Sequence, residues 1–430
     1  MHMKTTNINF TFLRYSIVGG SSAAIHGIFL ILLSQLLPLW ISNLLAFLAA
    51  SISSYLGHAL FTFRKETRGS RFAKRWLLIQ YLINISISSL LPIYIKFLLP
   101  KSIWPIVLIL TPTLINCIIW LKAKTHTSKR RNGIGITPIL HADDFGLTES
   151  TNEAIIHLKK INMLKSTSLI VNGNSIQSAI NSWKEFKDFP LSLHLCLTEG
   201  PATGDLHKLK NLSNKDGTLS KSFFQLLMIS CLPKKNQYRK LIRNELKHEI
   251  VSQIQKYKSL TKLEILYIDG HQHIHLIPIV MEILIELKDQ FRVKWIRTTS
   301  EPIATGISLE KWRMALIKKG VFKWIVLQIL SYFANIKIKE SYLQTNSAFS
   351  GVLFTGMMQE DIIIASSKEL AIKSAKDNET APLILTHPSY PLRSKQEIES
   401  LLNFNLSTKF FRSKWRYKEF EAICKVKNSI

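Results

Sequence analysis

Ile139-Leu140-His141-Ala142-Asp143-Asp144-Phe145-Gly146 is an apolar run that closes on an imidazole and two adjacent carboxylates. It predicts a short β-strand over Ile136–Ala142 with the acids at its carboxyl end. Thr167–Asn172, Leu191–Leu197, Leu263–Asp269, Arg292–Arg297 and Leu383–Thr386 read as further strands. Asn152–Ile161, Lys240–Tyr257 and Leu309–Phe333 carry helical periodicity. Strand–helix alternation of this kind predicts a parallel sheet, open or closed into a barrel. The carboxyl ends of such strands converge on one face. Asp143, Asp144, His194, the segment Asp269-Gly270-His271-Gln272-His273-Ile274-His275 and His387 are therefore expected together.

A carboxylate and two imidazoles can bind a divalent metal and leave positions open for water and substrate. A second carboxylate, off the metal, can take a proton as general base. Adjacent aspartates fill both roles if the backbone turns between them, and Gly146 permits such a turn. His271, His273 and His275 alternate, which on a strand puts them on one face. An Asp-Asp pair alone is more often a cap or loop, and a lone histidine between leucines more often a satisfied core residue, so the combination carries the reading.

The amino-terminal third differs in charge. Up to Asn132 it holds 15 Lys+Arg and one acid, Glu66, against 41 bases and 28 acids in the remainder. Four apolar stretches, Tyr15–Leu36, Trp40–Leu60, Trp76–Leu98 and Ile103–Leu121, each approach the ~20 residues of a membrane-spanning helix. Basic residues crowd Arg64–Arg75 and Lys122–Arg131, whereas the other two connections hold only Lys101. The positive-inside rule then places both termini in the cytoplasm of a bacterial-type inner membrane protein. This is a membrane charge pattern and not a nucleic-acid stripe. Three further spans and the lack of a cleavage site argue against a signal peptide. Cys117, Cys196, Cys231 and Cys424 lack paired spacing, which excludes a disulfide scaffold. Thr125–Gly135 reads as a basic linker, giving domains 1–124, 125–135 and 136–430. Gly320–Ala334, at fifteen residues, is short for a span and reads as a buried or membrane-apposed helix.

Two resemblances follow from these residues. Phe12–Gly20, Asn43–Phe47 and Phe61–Arg64 resemble the GtrA-like four-helix membrane proteins, with His58 where that family has Asn. This implies handling of polyprenyl-phosphate-linked sugars, with a plain anchor as the alternative. Leu140–Leu147, Asn152, Thr167–Gly173, Leu193–Pro201, Tyr267–Pro278, Ile296-Arg297, Phe349–Gly351, Thr355-Gly356 and Thr386–Pro391 resemble the YdjC-like carbohydrate deacetylases. The resemblance implies a (β/α) barrel-like domain in which Asp143 is the general base and Asp144, His194 and His271 hold the metal. Magnesium is the family's usual metal, and zinc or another transition metal also suits these ligands. His387 takes the place of a general acid, and Asp269 that of a partner orienting a ligand imidazole. His273, His275 and Arg297 are expected near substrate or developing charge. The expected reaction is hydrolysis of the N-acetyl group of an acetylated amino sugar, lipid-linked and at the cytoplasmic face of the bilayer. The rival reading is a membrane carrier whose cytoplasmic domain binds such a sugar without hydrolysing it. Oligomeric state is not legible.

Overall fold

A computed structural model of the chain describes residues 3–67, 72, 76–87, 100, 104–132, 136–186, 188–374, 380–404 and 414–426. It divides into two units, Met1–Ile134 and Gly135–Ile430.

The first unit contains α1 (Met3–Ser34), α2 (Leu39–Gly57), α3 (Trp76–Ile87) and α4 (Trp104–Asn132). Leu13–Ser34 and Ile41–Thr62 are each long and apolar enough to cross a membrane. Leu13, Ile28, Ile31 and Leu32 point outward, as side chains do when lipid is their solvent. The third expected span, Trp76–Leu98, is helical to Ile87, and the rest of it lies outside the described residues. Within the stretch read as a basic linker, Thr125–Asn132 continues α4 as helix. Within this unit lies a cavity of about 530 Å³, lined among others by His26, His58, Gln80, Asn84 and Asn116. The amide oxygens of Gln80, Asn84 and Asn116 are buried there without a hydrogen-bond partner among the described residues.

The second unit is built on β1 (Ile139–Phe145), β2 (Leu164–Leu169), β3 (Leu191–Leu195), β4 (Leu266–Gly270), β5 (Val293–Ile296), β6 (Phe349–Ser350) and β7 (Leu383–Thr386). All pair in parallel, in the order β5-β4-β3-β2-β1-β7-β6. Among the described residues no ladder joins β5 to β6, so the sheet is a partial barrel. Around it lie α5 (Glu149–Lys160), α6 (Ile176–Lys184), α7 (Phe223–Cys231), α8 (Gln237–Thr261), α9 (Pro278–Glu286), α10 (Leu309–Ile317), α11 (Gly320–Glu340), α12 (Glu360–Ser374), α13 (Lys395–Asn403) and α14 (Trp415–Lys425). Where one long helix over Leu309–Phe333 was expected, the chain breaks at Lys319, whose φ is +59°, into α10 and α11. α11 then runs on to Glu340, six residues beyond the stretch judged too short for a span.

Alternation along the strands sorts the side chains. Leu140, Ala142, Leu191, Leu193, Leu195, Leu266 and Ile268 join the apolar core shared with the helices. The alternate positions, His141, Asp143, Ser166, Ser168, Ser192, His194 and Asp269, bond to one another instead. Parallel barrels usually fill their interior with branched apolar residues. Here it is a buried polar network, affordable only because its members find partners.

Candidate active site

The two aspartates diverge because the backbone turns at the second. Asp144 has φ +70°, in the left-handed region that aspartate tolerates better than most residues, and Gly146 follows at +93°. The Asn152 side chain fixes this turn, accepting from Gly146 N–H at 2.7 Å and donating to Ser175 O at 2.9 Å. Asp143 consequently stays in the barrel network, and Asp144 faces a different set of partners.

Arg297, fully buried after β5, forks onto Asp143: Nη1 donates to Oδ1 at 2.7 Å and Nη2 to Oδ2 at 2.8 Å. Ser168 Oγ donates to the same Oδ1 at 3.0 Å. Burial opposes charge on Asp143, but Arg297 and His194 overcome it and hold this carboxyl well below the usual range. Asp269 is held low in the same way, by Arg297 and His194 against its burial. Arg297, expected near substrate, is thus a buried partner of the expected base.

His194 Nδ1 donates to Asp269 Oδ1 at 2.6 Å, which leaves Nε2 facing Asp144 Oδ1 at 3.6 Å. His271 Nδ1 lies 3.3 Å from the same oxygen. One ligand atom each from Asp144, His194 and His271 all fall within 4.8 Å of one another. His141, Asp143 and Asp269 form a second set of this kind, but Arg297 Nη1 already supplies a positive charge there, 2.7 Å from Asp143 and 3.4 Å from Asp269. In the first set Asp144 Oδ1 is buried and has no hydrogen-bond partner among the described residues. One orphaned carboxylate oxygen between two imidazoles fits a divalent cation.

The expectation that His271, His273 and His275 share a strand face is corrected. β4 ends at Gly270, and His271–Leu276 forms a 3-10 turn in which Gln272 and His273 have φ of +53° and +59°. The three rings go different ways. Burial would lower the pKa of His271, but the neighbouring carboxylates of Asp144, 3.3 Å from Nδ1, and Glu199, which accepts from Nε2 at 2.9 Å, raise it to about 10. The field that holds a proton there also suits a metal, which must displace it. His273 lies edge-on to Phe349 at 5.8 Å and lines the cavity. His275 is fully buried, Nε2 donating to Arg297 O at 2.9 Å, which braces the backbone that carries Arg297.

These groups open on a cavity of about 290 Å³, lined by Asp143, Asp144, His194, His271, His273 and His387 together with Glu199, Gln272, Lys323 and Thr355. Burial lowers the pKa of His387 to about 4, so its ring is neutral at physiological pH. Arg416 and Glu419, one turn apart on α14, hold the backbone of His387: Arg416 Nε donates to its carbonyl at 2.9 Å, and Glu419 Oε1 accepts from its N–H at 3.1 Å. Arg416 Nη2 also donates to Asp144 Oδ2 at 3.1 Å. Sequence reasoning missed Glu199, Lys323, Arg416 and Glu419. Glu199 sits in the quoted Leu193–Pro201 stretch, and its carboxylate was the available signal. Nothing sets Arg416 apart from the other cations of its segment.

A model for the GtrA/DPMS transmembrane domain matches residues 14–120. A carbohydrate deacetylase of Danio rerio is 24% identical over 279 residues, covering 60% of this chain and 83% of that protein. A chitooligosaccharide deacetylase of Salmonella newport is 28% identical over 146 residues, 34% of this chain and 53% of that protein, so the chain spans about half the length of that relative. The model for YdjC-like protein matches residues 139–428, every strand and both aspartates included. By that match, over more than half of its length, the chain belongs to the YdjC-like protein family.

Proposed function

We propose that this chain is a metal-dependent carbohydrate deacetylase that hydrolyses the N-acetyl group of an acetylated, lipid-linked amino sugar at the cytoplasmic face of the membrane. The observation that carries this reading is the convergence of Asp144, His194 and His271 on one cavity beside an ionised Asp143. The names of the Danio and Salmonella relatives support the reaction class.

A divalent cation held by Asp144, His194 and His271 supplies Lewis acidity toward the amide carbonyl and eases deprotonation of water. Magnesium is the family's usual ion, and two imidazoles equally suit zinc or another transition metal. Asp143 accepts the proton of the attacking water. Arg297 keeps it ionised and aimed, since both guanidinium branches grip both carboxylate oxygens. The amide C–N bond then breaks, giving acetate and an amine. The proton that Asp143 takes from the water is the one delivered to the leaving nitrogen, with His387, neutral beforehand, as the group that relays it. Asp269 orients the His194 ring, and Glu199 and Gln272 border the space where the sugar sits.

The lipid-linked substrate is supported by the GtrA/DPMS match and by the cavity of the first unit. Its amides, hydroxyls and imidazoles suit a hydroxyl-rich headgroup, and no carboxylate, lysine or arginine is among its lining residues. The test is acetate release by the purified chain from acetamido sugars, soluble and lipid-linked, with and without chelator. Asp143→Asn is expected to abolish release and retain metal. No release from any substrate by folded, metal-loaded protein refutes the proposal, and so does full activity of Asp143→Asn.

A further inference from the structure

We infer that α11, with the turn before it and the exposed side of α7, is a docking surface for an anionic lipid bilayer that lays one wall of the catalytic cavity against the membrane. The inference rests on reading the first unit as membrane-embedded. It is independent of the substrate.

α11 is apolar on both sides. Leu327, Leu330, Ala334 and Ile338 are buried in the core of the second unit. Ser331 Oγ accepts from Thr299 N–H at 2.8 Å, and Gln328 Nε2 donates to Thr299 O and Glu301 O at 3.1 and 3.0 Å. Trp324 Nε1 donates to Glu301 O at 3.2 Å. A helix held by these bonds cannot leave the barrel to span a bilayer, although Gly320–Glu340 is long and apolar enough to do so. Its other side carries Phe322, Ile329, Tyr332 and Phe333, all more than half exposed, as are Leu316 and Ile317 at the turn. A helix that is hydrophobic all round is normally buried all round, and contiguous exposed apolar patches mark interaction sites. The patch continues onto α7, where Phe224 stacks on Phe322 at 6.0 Å and Met228 lies a turn further on.

Charge selects the occupant. Ser308–Glu340 contains seven Lys and Arg (Arg313, Lys318, Lys319 and Lys339 exposed) against Glu310 and Glu340. A second copy of this surface would meet like charge with like, whereas anionic headgroups complement it. An apolar stripe bordered by lysines is the composition of helices that lie in a membrane interface. The fusion to transmembrane helices keeps a bilayer in reach: from Asn132 to Ile139 the chain extends ~25 Å at most. Lys323, next to Phe322, turns inward and lines the catalytic cavity.

Cys231 provides a native reporter, because it is the exposed one among Cys117, Cys196, Cys231 and Cys424 and ends α7 on the side of Phe224 and Met228. The full chain is labelled there with an environment-sensitive fluorophore and placed, one chain per nanodisc, in phosphatidylethanolamine with phosphatidylglycerol. Quenching by a lipid-borne nitroxide is compared with quenching by aqueous iodide. The control reporter is Asp216→Cys, at an exposed position in the turn before Gly217, with Cys231→Ala. We expect the nitroxide to quench the Cys231 label several-fold more than the control and iodide to quench it several-fold less. The paired change Phe322→Glu and Phe333→Glu should bring it back to the control. A Cys231 label quenched like the control overturns the inference, as does shielding that appears only with two chains per disc. Because the readout needs no turnover, its failure is distinguishable from failure of the proposed reaction.

Discussion

Asp269→Asn tests the metal site proposed on Asp144, His194 and His271. In the native protein the Asp269 carboxylate, fully buried, accepts from His194 Nδ1 at 2.6 Å through Oδ1 and from Ser192 Oγ at 3.0 Å through Oδ2. It therefore fixes the tautomer of His194 and leaves Nε2 free toward Asp144. Asparagine has the same shape, and its oxygen can still accept from Nδ1. The bond is then no longer charge-assisted, which about halves its strength. The new NH₂ group also faces Arg297 Nη1, which lies 3.4 Å from the native Oδ2. Loss of such a partner behind a ligand histidine typically costs ~10–100-fold in metal affinity, or ~1.4–2.8 kcal/mol. The assay is titration of metal-free protein against a competing fluorescent chelator, paired with acetate release at rising metal. We expect weaker metal binding and activity that recovers substantially at saturating metal. An affinity within about threefold of the native value, in a variant with unchanged near-UV circular dichroism, refutes the assignment of Asp269 as the orienting group.

His194→Ala and His271→Ala should each lose both metal and turnover by elemental analysis and acetate release, whereas His275→Ala should keep its metal. The cost at His275 is stability, ~1–3 kcal/mol in a denaturant titration, because Arg297 O loses its buried donor. Glu301→Gln should destabilise the second unit by ~2–5 kcal/mol: its carboxylate accepts from Ser350 Oγ and the N–H groups of Gly351, Val352 and Leu353, and an amide NH₂ leaves two of those donors unpaired. A transition midpoint equal to the native one would contradict this. Burial lowers the pKa of Lys373 to about 8, against the opposing pull of Glu301. Between that value and its unfolded value of 10.5 the unfolded chain binds more protons, so this group's contribution to stability rises with pH, by up to ~3 kcal/mol. Native protein should therefore gain on Lys373→Met between pH 7 and pH 10, and a gap that does not move with pH speaks against the depressed value.

Local pattern alone was enough to find six of the seven strands and the acids and imidazoles that end them, while β6, two residues long, carries too little pattern to be read. Asp143, Asp144, His194 and His387 follow runs of alternating or continuous apolar residues, and a parallel sheet gathers such strand ends. The apolar, acid-poor first third was equally plain, because residues facing lipid must be apolar whatever their neighbours. Direction and partnership were another matter. Whether Asp144 parts from Asp143 depends on one left-handed residue fixed by Asn152, and the fan of His271, His273 and His275 depends on two more beyond Gly270. Arg297 grips an aspartate 154 residues away, and Arg416 reaches Asp144 across 272. Nothing local assigns these arginines their partners, since what selects them is an unpaired buried charge that exists only once the barrel has formed. The exposed side of α11 has the same character. Its residues read as a buried or membrane-apposed helix, and only the tertiary structure shows that the barrel, already filled on its other side, leaves Phe322, Ile329, Tyr332 and Phe333 facing outward.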